Sequence, residues 1–279
     1  MNHATKARII IAGLLLSLML IVAACGTTGQ QPTTNANATL GHIPSGITDI
    51  TWNAANRTMM VKVSISGLAP KSTHPEHIHK GDCNSDGKIL FTLNPIEADA
   101  KGVGTSETTF NNVTTGIPQS GWYLNIHNGG TGLTSALQGM AIACGNIINA
   151  NASTTTDQSV HLILSTTPSS DQAAAGSAQL SLTDNKLTVK VTLSNLVPNS
   201  THIAHIHSGA CQAQGAVLYP LSPITADASG SGTSTTTVDQ VTSIPGSGWY
   251  VNVHLGGTKD ELSTQTGDDP IACGNVVTA

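Results

Sequence analysis

The sequence predicts an all-β protein built from two antiparallel β-sandwiches in tandem, and three observations carry that expectation. Charged residues are only 10% of the 279 residues and aromatics 3%, while Thr, Ser, Asn and Gly are plentiful, which suits short strands and polar turns. Apolar residues recur with period two: Val61, Val63 and Ile65 alternate with Lys62 and Ser64, and Leu187, Val189, Val191 and Leu193 alternate with Thr188, Lys190 and Thr192. No amphipathic run long enough for a three-turn helix appears. Most of the chain is also an internal repeat: Gly67-Leu-Ala-Pro70 matches Asn195-Leu-Val-Pro198, Leu93-Asn-Pro-Ile-Glu-Ala-Asp-Ala100 matches Leu221-Ser-Pro-Ile-Thr-Ala-Asp-Ala228, Ser120-Gly-Trp-Tyr-Leu-Asn-Ile-His127 matches Ser247-Gly-Trp-Tyr-Val-Asn-Val-His254, and Ile142-Ala-Cys-Gly-Asn146 matches Ile271-Ala-Cys-Gly-Asn275.

Taken in order, the chain opens with Lys6 and Arg8 before an apolar run from Ile9 to Val22, which is short for a membrane span and matches the core of a signal peptide. The run ends Val22-Ala23-Ala24-Cys25, which resembles the bacterial lipobox. On that reading residues 1–24 are removed and a lipid on Cys25 anchors the protein to the outer face of the membrane, at the cell surface or in the periplasm; an ordinary signal peptide with a chance Cys is the alternative. Residues 25–40 are polar with no apolar periodicity and are expected as a flexible tether. The first domain is then expected over 41–150 and the second over 151–279, with the Asn/Ala/Ser/Thr segment from Asn149 to Thr156 as the boundary. Turn signals such as Asn84-Ser-Asp-Gly87, Asp99-Ala-Lys-Gly102 and Asp227-Ala-Ser-Gly230 separate the strands.

Charge narrows the partners. Without Lys6 and Arg8 the chain holds nine cations against 16 acids, a formal charge of −7, and nothing basic accumulates, so nucleic acid is not expected as a partner. Export places the cysteines where disulfides persist. Four remain after Cys25, and although four cysteines allow three pairings, each repeat owns two, so Cys83–Cys144 and Cys211–Cys273 are expected. A reduced cysteine metal site is the competing reading; it lacks C-x-x-C spacing and the compartment opposes it.

The chemistry is concentrated in one motif that occurs twice, H-x-x-H-I-H-x-G-x-C, at His74-Pro-Glu-His77-Ile-His79-Lys-Gly-Asp-Cys83 and at His202-Ile-Ala-His205-Ile-His207-Ser-Gly-Ala-Cys211. In a strand, residues two apart share a face, so His77 with His79, and His205 with His207, each present a pair of imidazoles that can chelate a metal.

These residues carry two family resemblances. His202 to Leu221, with Gly215-Ala-Val-Leu-Tyr-Pro-Leu221 and Trp249-Tyr-Val-Asn-Val-His254, resembles the CHRD domain. The His cluster followed by Gly-x-Cys, the segment Thr225-Ala-Asp-Ala-Ser-Gly-Ser-Gly-Thr233 and the ending Ile271-Ala-Cys-Gly-Asn275 resemble copper/zinc superoxide dismutase. The resemblance implies Greek-key sandwiches, with His77, His79 and His127, and likewise His205, His207 and His254, at copper-ligand positions. It implies bracing roles for His74 and His202, and the same two disulfides. Departures from the dismutase are equally plain. Only about ten residues separate Cys83 from Leu93, no histidine lies between His79 and His127 or between His207 and His254, and the guiding arginine is replaced by Ala141 and Pro270. A zinc site and a bridging imidazole are therefore not expected.

Three classes of function follow. The first is an anchored copper-binding module using three histidines per domain, its affinity falling as pH drops through about 6.5, the ordinary imidazole pKa. In the second domain, Asp260 and Glu261 follow His254 closely and are expected to orient it from behind. The second class is a non-catalytic CHRD-type interaction domain with structural histidines and a protein partner that the sequence does not specify; the third is a low-activity copper-only dismutase.

Overall fold

The strands form where apolar side chains alternate with Thr, Ser, Lys and Asn. In order they are β1 (Thr34–Leu40), β2 (Ser45–Asn53), β3 (Thr58–Ser66), β4 (Thr73–His74), β5 (Glu76–Lys80), β6 (Ile89–Thr92), β7 (Ile96–Ala98), β8 (Val103–Phe110), β9 (Trp122–His127) and, after the one-turn helix α1 (Ala136–Gly139), β10 (Ala141–Ile147). The second repeat continues with β11 (Gln158–Leu164), β12 (Ala175–Thr183), β13 (Lys186–Ser194), β14 (Thr201–His202), β15 (Ala204–Ala210), β16 (Ala213–Pro220), β17 (Ile224–Thr225), β18 (Gly232–Asp239) and β19 (Trp249–His254). Two more one-turn helices, α2 (Lys259–Leu262) and α3 (Gln265–Asp268), precede β20 (Pro270–Asn275) and β21 (Val277–Thr278). This is a computed structural model, and it describes residues 33–165 and 169–278. The expected signal segment, Cys25 and the first part of the expected tether lie outside them.

Each repeat closes a sandwich of two antiparallel sheets. In the first, β11-β2-β3-β8-β7-β4 packs on β10-β9-β5-β6; in the second, β18-β13-β12-β1-β21 packs on β16-β15-β19-β20. Period two does the work in β3, whose Met59, Val61, Val63 and Ile65 are all buried, and in β13, whose Leu187, Val189, Val191 and Leu193 are buried in the same way. Each such side chain taken out of water contributes about 1.5–3 kcal/mol. The first core joins these residues to Ile78, Leu124 and Ile126 of the facing sheet, and the second joins them to Ile206, Val251 and Val253.

The opening strands are exchanged. β1 pairs along its whole length with β12 of the second repeat, from Thr34↔Leu182 to Leu40↔Gly176, and also contacts β21. β11 pairs with β2 of the first repeat, from Gln158↔Trp52 to Leu164↔Gly46. The crossovers end in matching bridges, Gly41↔Cys273 and Ser165↔Cys144. Ala36, Ala38 and Leu40 therefore belong to the second core, and Val160, Leu162 and Leu164 to the first. This corrects the expectation of a tether through residue 40: residues 34–40 form a strand inside a sheet. The segment at 149–156 leads into β11, which joins the first sandwich, and the repeats form one compact unit. The physical reason is that Asn-Ala-Asn-Ala-Thr-Leu does alternate, but with alanines whose small apolar area gives a faint signal.

Both expected disulfides are present, Cys83–Cys144 and Cys211–Cys273, with Cα–Cα distances of 5.9 and 5.8 Å. Each pins the loop after a histidine strand to the last strand of the same sheet.

Candidate metal centre

Strand alternation places the histidines on the face of β5 and β15 away from the core. Ile78 and Ile206 point inward and are fully buried, so their neighbours His77 with His79, and His205 with His207, share the opposite face. The adjacent strand delivers the third ring: β5 pairs with β9 and β15 with β19, and those strands end at His127 and His254. Ring centroids in the first repeat are 5.5 Å for His77–His79, 5.1 Å for His77–His127 and 6.0 Å for His79–His127. The corresponding values in the second are 5.5, 5.2 and 6.0 Å. In each triad one nitrogen per ring lies within 4.8 Å of the other two, so the six predicted residues assemble as two triangles of three.

Backbone carbonyls orient the rings. His79 donates from Nδ1 to Gly87 O at 2.8 Å, and His207 from Nδ1 to Gly215 O at 3.0 Å. A Cβ on Gly87 would collide with the Lys80 carbonyl, and one on Gly215 with the Ser208 carbonyl, so glycine is what lets the loop approach the histidine strand. His127 donates from Nδ1 to Gly139 O at 2.8 Å, and His254 to Asp268 O at 2.6 Å. Gly139 and Asp268 are the last residues of α1 and α3, where carbonyls have no partner within the helix. The N-caps Ser135 and Thr264 hold these single turns in place. His79 also stacks on Tyr123 at 5.0 Å and His207 on Tyr250 at 5.0 Å. Each tyrosine hydroxyl accepts from the amide of the glycine concerned, Gly87 or Gly215, tying ring and loop together.

A ring whose Nδ1 donates to a carbonyl carries its proton there and keeps a lone pair on Nε2. In the first triad, Nε2 of His79, Nε2 of His127 and Nδ1 of His77 are buried with no partner among the described residues, as is Nε2 of His207 in the second. Burial and the neighbouring rings push the pKa of His77 and His205 down to about 4. Burial likewise takes His254 to about 4 and lowers His127 and His207, against the opposing pull of the carbonyls they bond. Burial thus favours the neutral form of these imidazoles, the form in which a ring nitrogen can donate a lone pair to a metal.

The second layer is part expected and part not. His74 donates from Nδ1 to His127 O at 2.8 Å, and its Nε2 lies 2.6 Å from Ser72 Oγ. His202 donates from Nδ1 to His254 O at 3.1 Å and Leu255 O at 3.0 Å, with Ser200 Oγ 2.7 Å from Nε2. Both are buried behind the third ring of their triad. Asp260 and Glu261 do not orient His254. Glu261 Oε2 accepts from the amides of Gly257 and Thr258 in the capping box of α2, and these bonds, which hold its pKa down, occupy the carboxylate. Asp260 lies in the exposed first turn of the same helix. The acid beside His254 is Asp268, through its carbonyl and through Oδ1 at 3.5 Å from Nδ1. Asp268 stands farther along the chain and reaches the ring only because α2 and α3 fold the loop back.

Two buried carboxylates serve the braces. Asp269 Oδ1 accepts from Ala69 N at 3.3 Å and lies 4.0 Å from His74 Nε2, joining the second repeat to the first. Asp171 accepts from Val197 N at 2.8 Å and lies 3.3 Å from His202 Nε2. The side chain of Gln265 bonds both backbone groups of Thr73 and Asn128 O, so the loop that orients His254 also rests on the segments flanking the first triad.

Paired antiparallel sandwiches, each with a disulfide and three histidines on one sheet face, define a β-sandwich protein with two tri-histidine clusters. The CHRD domain family matches the sequence over residues 25–131 and 151–260, and the chain belongs to that family, with two CHRD domains in tandem. No curated protein matches the chain in sequence.

Proposed function

We propose that this protein binds copper through His77, His79 and His127 in the first repeat and His205, His207 and His254 in the second, and serves as an exported copper-binding module. The observation that carries this reading is the convergence of ring nitrogens in each triad: in the first, Nδ1 of His77 and Nε2 of His79 and His127 are buried and unpartnered among the described residues, and in the second Nε2 of His207 is, beside Nδ1 of His205 and Nε2 of His254 at 3.3 Å from each other, while the opposite nitrogens of four rings are spent on carbonyls. A structural histidine uses both nitrogens on protein or exposes one to water; orphaned, converging lone pairs cost stability unless something accepts them. Three neutral imidazoles suit Cu(I) in three-coordination and Cu(II) with water added. Nothing in either cluster supplies a carboxylate or thiolate to the triangle, and no second site for zinc stands beside it among the described residues.

The residues do the rest of the work: the carbonyls of Gly87, Gly139, Gly215 and Asp268 fix tautomer and ring direction, Tyr123 and Tyr250 cover one face, and the disulfides hold the loops. A metal held there would supply redox chemistry or simple storage and transfer. The lipobox-like Val22-Ala-Ala-Cys25 supports a lipid anchor on Cys25 that would hold this module to the membrane outside the cytoplasm.

Calorimetry of the purified protein with copper under competition from a chelator tests the reading. About two copper ions per chain are expected, falling to one when either triad is changed to glutamine. Failure of the protein to take up copper would return the histidines to a structural role in an interaction domain. Cys25→Ser tests the anchor: the protein should leave the membrane fraction.

A further inference from the structure

β9 and β19 each carry an asparagine on the face that bears the third histidine of the triad. Tyr123, Asn125 and His127 alternate on one face of β9, and Tyr250, Asn252 and His254 on one face of β19, so each asparagine sits between the tyrosine that stacks on one ligand and the histidine that is another. In register, Asn125 lies opposite His77 and Asn252 opposite His205. Asn125 is 9% exposed and Asn252 0%. The amide Nδ2 of Asn252 is 3.4 Å from His254 Nε2, a nitrogen of the metal-facing set. Oδ1 of both asparagines is buried with no partner among the described residues.

A buried amide oxygen left alone is penalised, and an apolar residue of similar size would avoid the penalty. The same orphan acceptor occurs at the same place in two repeats whose flanking residues differ, Leu124 and Ile126 against Val251 and Val253. We propose that Asn125 and Asn252 are positioning residues for the metal: the amide carbonyl accepts a hydrogen bond from a water molecule held by Cu(II) at the position the three histidines leave open. This rests on the copper reading above. A half turn about the terminal torsion exchanges the two ends of the amide, so the oxygen can occupy the place where Nδ2 now faces His254. Cu(I) is satisfied by three imidazoles and has no need of that water, whereas Cu(II) does. The asparagines therefore favour the oxidised ion, and the site is tuned toward holding Cu(II) without a carboxylate.

The experiment compares the full protein with Asn125→Leu/Asn252→Leu and with Asn125→Asp/Asn252→Asp. Cu(I) and Cu(II) affinities are measured by chelator competition, and exchangeable protons near Cu(II) by electron–nuclear double resonance in H2O and D2O. The leucine pair should weaken Cu(II) binding about tenfold with Cu(I) binding unchanged, which raises the reduction potential by about 59 mV for one electron. It should also remove an exchangeable proton signal. The aspartate pair keeps the acceptor, adds charge and should shift the Cu(II)/Cu(I) ratio the opposite way, which keeps the inference testable if leucine perturbs folding. Copper bound by the parent with the same ratio and the same proton signal in both variants would overturn the inference and leave the copper site standing. No copper bound by the parent would overturn both.

Discussion

The Nδ1–H of His74 donates to the backbone carbonyl of His127 at 2.8 Å, and His202 makes the same bond to His254 at 3.1 Å. A buried side chain thus holds the main chain of a triad histidine rather than its ring, and the ring is fixed separately by Gly139 or Asp268. His74→Phe keeps the volume and removes the donor. Outer partners of this kind are worth roughly 10–100-fold in metal affinity. Copper affinity of the first site should fall by about that factor while the second site is unchanged, as read by calorimetry of the variant. An unaltered first site would make His74 a packing residue only.

The exchanged strands make each sandwich depend on the other repeat. Ala38 is 1% exposed and faces Ala178 in the register of β1 with β12. Ala38→Asp would bury an unpaired carboxylate in the second core, although residue 38 belongs to the first repeat. A loss of about 3 kcal/mol or more is expected in chemical unfolding, with the amide protons of β12 and β13 losing protection first in hydrogen exchange. A chain cut between the repeats should also fail to give two separately folded monomers, since 41–150 lacks β11 and 151–279 lacks β1. Two stable monomeric halves would contradict the exchange.

How much of this the residues announce depends on the size of the signal each carries. Val61, Val63 and Ile65 declare β3 because large apolar side chains alternate with polar ones, and the duplicated His-Ile-His declares both triads because strand geometry alone makes the pair. β1 is hidden because Ala36 and Ala38 are small, and its partner is fixed by a strand over a hundred residues away. The carbonyls of Gly87 and Asp268 carry no side-chain signature at all. Asp260 and Glu261 mislead for a related reason. Nearness to His254 in sequence suggested contact, but Thr258 and Glu261 form a capping box that spends the carboxylate on the helix start.

Glu76 is the one core-facing acid of β5 and is fully buried, with Oε1 accepting from the Ser106 hydroxyl and Oε2 unpartnered among the described residues. Burial raises its pKa from the model-peptide region to about 8. The folded protein therefore retains a proton that the unfolded chain releases from about pH 4.5 upward. This group's contribution is fully present below pH 4.5 and is lost as pH rises through about 8. Glu76→Gln does not titrate. The stability of the variant relative to the parent should therefore increase steadily between pH 5 and pH 8 in thermal unfolding without metal. A constant difference across that range would mean that Glu76 ionises normally.

Superoxide turnover, if the copper-loaded protein shows any, should be far slower than diffusion allows. Catalysis on an anion needs a cation beside the metal and a proton donor for the reduced product. The register places Ala141 opposite His127 and Pro270 opposite His254, so the residues facing the third histidine of each triad are uncharged. Lys80 follows His79 but is exposed, and its counterpart is Ser208. Asp268 brings a carboxylate oxygen to 3.5 Å from His254, and the chain as a whole is acidic, so the field repels rather than draws the substrate. Electrostatic steering changes association rates by roughly 10- to 1,000-fold. Screening should act in the same sense at both sites: added salt weakens the repulsion and raises whatever slow rate exists. Pulse radiolysis across a range of ionic strength measures both quantities. A rate near the diffusion limit that falls with salt would require an attracting charge that these sites do not present among the described residues, and would make the protein an oxidoreductase.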